Sequence, residues 1–413
     1  MSDPYRHRLM LFEPNSGGHH AGYIAHVLQA WRNLTLPGRI AAVVSPRLFD
    51  EHPTLRDLAF DDGHGAAEFV EMPEAPALKG RSLLAKGIGE RRLLKEYTER
   101  LRPEHVVHMF MDHGQFALAT GLRFSYPVEI SGLFLRISHQ RALPDETMHE
   151  RVVRLRKRWL LWAALRNPHM GVVFSADPTV APAVRALDPS ARTATLPDPV
   201  PLPSGNAEPV ETRMAYGVEP DRQLVLLFGV LAERKGVFKM LEALRRLPDA
   251  VCARLCVLFA GPVETGLEGR LHSAMDAVRR EHPVQLLLHE AYLHEPEINA
   301  LLGAADLALL PYQGHSGTSS VLIRASGTQR PVLSQSYGLM GEQVREHALG
   351  QAVDASDPQA IADGLIRFLE NPTVGFDPAR ARAFAEMHTP HAYAEAMLAH
   401  LDLLTSRSGV PSP

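Results

Sequence analysis

Two stretches of the chain place residues that attract anions at the start of a helix. The first, residues 226–244, reads LLFGVLAERKGVFKMLEAL. An apolar strand ends at Gly229, a short loop carries Arg234 and Lys235, and a helix opens at Gly236. A helix N-terminus presents unpaired N–H groups and a partial positive charge. Two cations directly before it make an anion site that suits a diphosphate. The plain alternative is a solvated basic loop. The second stretch, residues 305–333, reads ADLALLPYQGHSGTSSVLIRASGTQRPVL. Here Gly314, Ser316, Gly317, Thr318, Ser319 and Ser320 let backbone approach a ligand and offer hydroxyl donors. Ser/Thr caps on an ordinary helix are the alternative. Both stretches are strand-loop-helix junctions in one half of the chain, which strengthens each.

In the other half, histidines and glycines follow strands. Gly17, Gly18, His19 and His20 form the turn after a strand at 8–13, where an imidazole can meet an acceptor or a donor phosphate. Asp112, His113 and Gly114 follow a strand expected at 105–111. A His beside an Asp at a strand's carboxyl end is an acid–base pair for an acceptor hydroxyl. A surface turn is the bland reading. His105 and His108 are three apart, so a strand puts them on opposite faces and they share no metal. No metal site is expected.

The elements that position these residues alternate. Strands are expected at 8–13, 40–44, 105–111, 128–135 and 171–175, with helices at 20–31, 82–101 and 147–166 between them. A proline-rich stretch, Leu196–Pro203, followed by Ser204, Gly205 and Asn206, marks a boundary because proline stiffens the chain. A second series of strands follows at 223–230, 255–260, 284–289, 307–311, 331–334 and 351–354. The alternation predicts α/β architecture: two Rossmann-like, doubly wound parallel-sheet domains. They are placed at 1–200 and 207–375, with one further helix over about 379–404 packing across both and a disordered tail.

Composition narrows the function. Of 413 residues, 43 are Lys or Arg and 47 Asp or Glu, a net charge of −4, which argues against a nucleic-acid partner. Two cysteines, Cys252 and Cys256, exclude a disulfide framework and fit a reducing cytoplasm. The opening residues show no signal peptide, and no apolar run is long enough to span a membrane. Two basic stretches stand out: 78–102, and 147–166 with Arg151, Arg154, Arg156, Lys157, Arg158, Trp159 and Trp162. Basic helices with Trp can lie on anionic membranes. A solvated helix with its apolar face in the core, or contact with an acidic or phosphorylated acceptor, stand beside that reading.

The C-terminal half resembles retaining glycosyltransferases of the GT-B fold, in the group-1, family-4-like set that includes many bacterial mannosyl- and glucosyltransferases. The resemblance rests on FGVLAERKG with the following LEAL, FAGPVE, EINALLGAADLALLPY, RPVLSQ and DASDPQAIADGLIRFL. It extends more loosely to SGGHHAGYIAHVL and HVVHMF in the N-terminal half. It implies a nucleotide-diphosphate sugar held by the C-terminal domain and a sugar, lipid-linked or small-molecule acceptor held by the N-terminal one, with no cofactor. Lys235 matches the family's phosphate-binding Lys, and Arg234 stands in for an Arg the family carries where this chain has Val230. The family's two glutamates, with seven residues between them in the second loop and helix, fall near Ser316 and Arg324. An altered donor site follows, with Arg324 pairing a phosphate. A GT-B sugar-nucleotide epimerase and a non-catalytic binding member are the alternatives.

Overall fold

Short, wholly apolar strands leave no polar face for water, so a sheet built from them must be covered on both sides. The computed structural model contains two sheets whose inner strands are mostly of this kind. It describes residues 6–15, 20–73, 83–134, 148–203 and 208–404. The chain divides into two units, residues 1–199 with 390–413, and residues 200–389.

The first unit's strands are β1 (His7–Glu13), β2 (Gly38–Val44), β3 (Phe60–Asp61), β4 (Gly65–Glu71), β5 (His105–His108), β6 (Glu129–Leu133), β7 (Met170–Ser175) and β8 (Thr193–Thr195). They lie in the order β3-β4-β2-β1-β5-β6-β7-β8, parallel except for the β3–β4 pair. The second unit's strands are β9 (Gln223–Phe228), β10 (Leu255–Ala260), β11 (Gln285–His289), β12 (Leu307–Leu310), β13 (Val332–Gln335) and β14 (Gly350–Val353). Their order is β11-β10-β9-β12-β13-β14, parallel throughout. Both sheets wind outward from a central strand, β1 in one and β9 in the other. That winding creates a topological switch point between β1 and β5, and another between β9 and β12. Helices bury their apolar faces on the sheets, with Trp31, Phe12 and Phe174 wholly enclosed in the first unit and Phe259, Phe368 and Phe384 in the second.

The structure departs from the sequence expectation in three places. β3, β4 and β8 were not anticipated, since Gly65-Ala66-Ala67 opens β4 without the β-branched or aromatic residues that mark a strand. The strand expected at 105–111 ends at His108, because the Phe110 N–H bonds to His108 Nδ1 (3.3 Å) and the chain turns into a helix, Met111–Ala119. The single helix expected over 379–404 is two, Pro378–Met387 and Pro390–His400. Proline disfavours helical backbone in the residue before it, so the break falls at Thr389. The first of the two groups with the second unit and packs on the helix Ser320–Gly327. The other groups with the first unit, where Tyr393 stacks on Tyr23 with ring centroids 5.4 Å apart. The expected tail at 406–413 lies outside the described residues.

His388, at the end of the helix Pro378–Met387, packs on the Phe384 ring, and its carbonyl accepts from Val200 N–H (2.8 Å). Burial, with His347 acting in the same direction, lowers its pKa from 6.5 to about 4. The unfolded chain therefore takes this proton at a higher pH than the folded chain does. Stability from the neutral imidazole is complete above the unfolded value and falls as pH drops from about 6.5 towards 4. We expect His388→Gln to flatten the acid limb of a thermal-stability profile across that window. A limb as steep as that of the parent protein would contradict this assignment.

Candidate functional site

In doubly wound sheets, ligands bind at the carboxyl ends of the strands beside the switch point. In the second unit those ends are Phe228 and Leu310, and the loops that follow carry Lys235 and Tyr312. Gly229 leaves β9 with φ 96°, and Gly236 caps the helix Val237–Leu244 with φ 77°. Both are left-handed conformations that glycine adopts without strain. At Gly236 a side chain is also excluded by space, since a Cβ would fall 2.0 Å from the Pro311 carbonyl oxygen. Backbone contact thus locks the two loops together, reinforced by Gln313 N–H donating to the Arg234 carbonyl at 2.7 Å.

This contact puts Lys235 against Tyr312. The lysine is only 9% exposed. Its Nζ donates to the Tyr312 hydroxyl at 2.5 Å and lies 4.0 Å from the ring centroid. The hydroxyl is in turn 3.4 Å from Ser319 Oγ, which caps the helix Ser320–Gly327 by accepting from Val321 N–H. Among the described residues no carboxylate pairs with Lys235. Gly229 stands beside the ammonium: a Cβ there would lie 3.9 Å from Nζ, in ordinary contact with it. Arg234, by contrast, is exposed.

The second loop is held by its own network. His315 Nε2 meets the Thr318 carbonyl at 2.8 Å, and Thr318 Oγ1 donates to Gln343 (3.2 Å). The Ser316 carbonyl accepts from Leu339 N–H (2.9 Å), and Gly338 packs so closely on Ser316 that a Cβ would lie 2.8 Å from its Cα. Gly314 (φ 65°), Ser316 and Ser320 are solvent-facing, and Gly317 is half-buried. Arg324 does not stand free for a phosphate in this structure: its guanidinium forks onto both oxygens of Glu295, with the Nη2–Oε1 bond at 2.6 Å.

In the first unit, the switch point lies between Glu13 at the end of β1 and His108 at the end of β5, strands that pair Phe12 with His108. Glu13 is fully buried and accepts from Asn15 N–H (2.8 Å). Gly17, Gly18 and His19 lie outside the described residues, and His20 opens the helix His20–Asn33. Asp112, His113 and Gly114 form the first turn of the helix Met111–Ala119, so they belong to a helix rather than to a turn directly after the strand. The Asp112 carboxylate favours that end of the helix dipole, and the His113 side chain lies outside what is described.

Beneath this turn lies a pair that the sequence reading missed. His108 is wholly buried, and its Nε2 is 2.8 Å from Glu90 Oε1. Because His108 Nδ1 accepts from Phe110 N–H, the ring proton sits on Nε2 and is given to the carboxylate. Gly114 packs against the same imidazole, where a Cβ would come 2.3 Å from Nε2. The signal was present in the sequence: Glu90 shares a helical stripe with Leu94, Tyr97 and Leu101, an acid where the core-facing pattern wants an apolar residue.

Comparison with known proteins places this geometry. Residues 211–386, all within the second unit, match the family described as Glycosyl transferases group 1. An uncharacterized glycosyltransferase of Methanocaldococcus jannaschii is 24% identical over 164 residues, which is 40% of this chain and 40% of that protein. The match thus spans well under half the length of that curated relative. Among solved structures, sucrose-phosphate synthase of Thermosynechococcus elongatus aligns with a TM-score of 0.67 at 14% identity, covering 98% of this chain and 100% of that one. Anabaena HepE, solved in complex with UDP, aligns with a TM-score of 0.65 at 15% identity over 97% of this chain and 100% of its own. The fold is therefore GT-B, two parallel-sheet α/β domains. Within the second unit, the group 1 glycosyltransferase match covers the strands β9–β14 and the two loops just described.

Removing one partner of a buried hydrogen bond leaves the other unsatisfied and typically costs about 1–3 kcal/mol. Glu90→Ala should therefore lower the unfolding free energy from urea titration by that order, and Glu90→Gln, which still offers an acceptor oxygen, by clearly less. Equal, negligible shifts for both variants would show that the pair does not hold the turn at Met111–Gly114.

Proposed function

We propose that the protein is a glycosyltransferase moving a sugar from a nucleotide-diphosphate sugar to an acceptor hydroxyl, with the donor diphosphate at the β9–β12 switch point. The observation that carries this reading is the buried Lys235 ammonium, whose hydrogen-bond partner among the described residues is the Tyr312 hydroxyl. Burying a charge without a counter-charge is costly, and an anionic ligand at the open side of Nζ offsets that cost. The group 1 match over the same residues and the UDP and UDP-glucose complexes of HepE support a nucleotide-sugar donor.

In this reading Lys235, Arg234 and the N–H groups opening the helix Val237–Leu244 face the leaving diphosphate. The loop Gly314–Ser320 lines the other side with Gly317, Thr318 and Ser319. Charge builds on the diphosphate as the bond to the sugar breaks, and preorganised donors stabilise it. Those donors are cations and backbone amides, which supports a mechanism without metal. Retention of configuration follows the resemblance. The sugar, lipid-linked or small-molecule acceptor is assigned to the first unit's switch point, where His113 and Asp112 serve as the acid–base pair.

Two measurements test the assignment. Nucleoside diphosphates and their sugars should raise the melting temperature with EDTA present, and Lys235→Ala should weaken that binding about ten-fold or more, the worth of a charged hydrogen bond. A folded Lys235→Ala protein with unchanged affinity, or stabilisation abolished by EDTA, would contradict the donor site or its metal independence. On the acceptor side, His113→Ala should lower kcat while leaving donor affinity near that of the parent, as expected for a group that acts only once both substrates are bound. Parent-like turnover would return Asp112-His113 to a structural role at the helix start.

A further inference from the structure

The helix Met148–Leu165 has two apolar faces, and the core uses one of them. Leu161 and Ala164 are buried in the first unit's hydrophobic core, with Leu165 packed at its edge. At about 100° per residue, the opposite side of the helix carries Met148, Val152, Leu155, Trp159 and Trp162, spaced by four, three, four and three. All five are exposed, from 40% at Trp162 to 73% at Met148. A continuous exposed stripe of this kind marks an interaction surface rather than scattered surface apolar residues.

The charges say what covers it. Arg151 and Arg158 flank the stripe on one side and Arg156 on the other, all three exposed. Arg166 closes the end, its guanidinium 4.1 Å from the Trp162 ring centroid. From 148 to 166 the chain carries six Arg or Lys and one acid, Glu150, within a protein whose net charge is −4. A second copy of the same helix would set arginines against arginines on both flanks, so the surface is not self-complementary. No helix among the described residues is long and apolar enough to cross a membrane.

We infer that this helix seats the first unit on an anionic bilayer surface, lying in the interface with Trp159, Trp162, Leu155 and Val152 inserted and the flanking arginines on lipid phosphates. An apolar stripe bordered by cations, with Trp at its centre, is what such an interface selects. The seating requires no sugar transfer, so it stands or falls apart from the proposed activity.

The protein's own fluorescence reads the test. Of its three tryptophans, Trp31 is fully enclosed, leaving Trp159 and Trp162 as the exposed reporters. With the full-length protein, vesicles of phosphatidylcholine mixed with phosphatidylglycerol should shift emission to the blue and carry the protein upward in flotation, an effect weakened by salt. Pure phosphatidylcholine vesicles should do neither. Arg156→Glu with Arg158→Glu should reduce binding about ten-fold or more, since each cation at an anionic leaflet contributes about five-fold. Val152→Ser with Leu155→Ser should also abolish the shift while circular dichroism and melting temperature stay unchanged, as expected for exposed positions. The inference is overturned if the protein stays unbound on anionic vesicles. It is equally overturned if binding ignores the charge variant, or if the blue shift arises without lipid alongside a doubled mass in solution, which would make a second copy the occupant.

Discussion

An ammonium group withdrawn from water needs compensation, and at Lys235 the compensation among the described residues is the Tyr312 phenol. The arrangement exists because two loops touch through backbone: Gly236 under the Pro311 carbonyl, and Gln313 N–H on the Arg234 carbonyl. A side chain at Gly236 would separate the loops and with them Lys235 from Tyr312. Tyr312 then reaches Ser319, which opens the next helix, so one chain of contacts joins the ends of β9 and β12 to both helix starts. The rest of the second unit, an all-parallel sheet covered on both faces, holds those two strand ends side by side.

The first unit repeats the plan with different chemistry. Its switch point is lined by buried acids, Glu13 and Glu90, and by the imidazole of His108. The two sites therefore differ in what they attract: a basic site with no carboxylate partner among the described residues on one sheet, and acids already hydrogen-bonded within the protein on the other. That difference is the physical ground for assigning the charged donor to β9–β12 and a neutral hydroxyl acceptor to β1–β5.

Much of this was legible in the sequence. In the second unit β9, β10 and β12 are apolar runs that end at Gly229, Gly261 and Pro311, so both junctions could be placed with Arg234, Lys235 and the Gly314–Ser320 loop on them. What sequence spacing does not carry is the partner of a side chain across the fold. Tyr312 is 77 residues from Lys235, and Glu295 is 29 from Arg324, so the first was not foreseen as a partner and the second redirects an arginine expected on phosphate. The strand was read on to Met111 because Val106-Val107-His108-Met109 continues the apolar run, while the turn is made by a His108 ring nitrogen. Pro390 was a visible signal of the break between the last two helices, outweighed by the long run of helix-forming residues around it.

The claim on which the account turns is that the carboxyl ends of β9 and β12 are where the nucleotide diphosphate binds. Hydrogen–deuterium exchange with and without a saturating nucleoside diphosphate locates that contact directly. Amides of residues 229–240 and 311–323 should gain protection together, since the loops are joined through backbone and Lys235–Tyr312. Protection confined to the first unit, or absent from both segments under saturating ligand, would contradict the account.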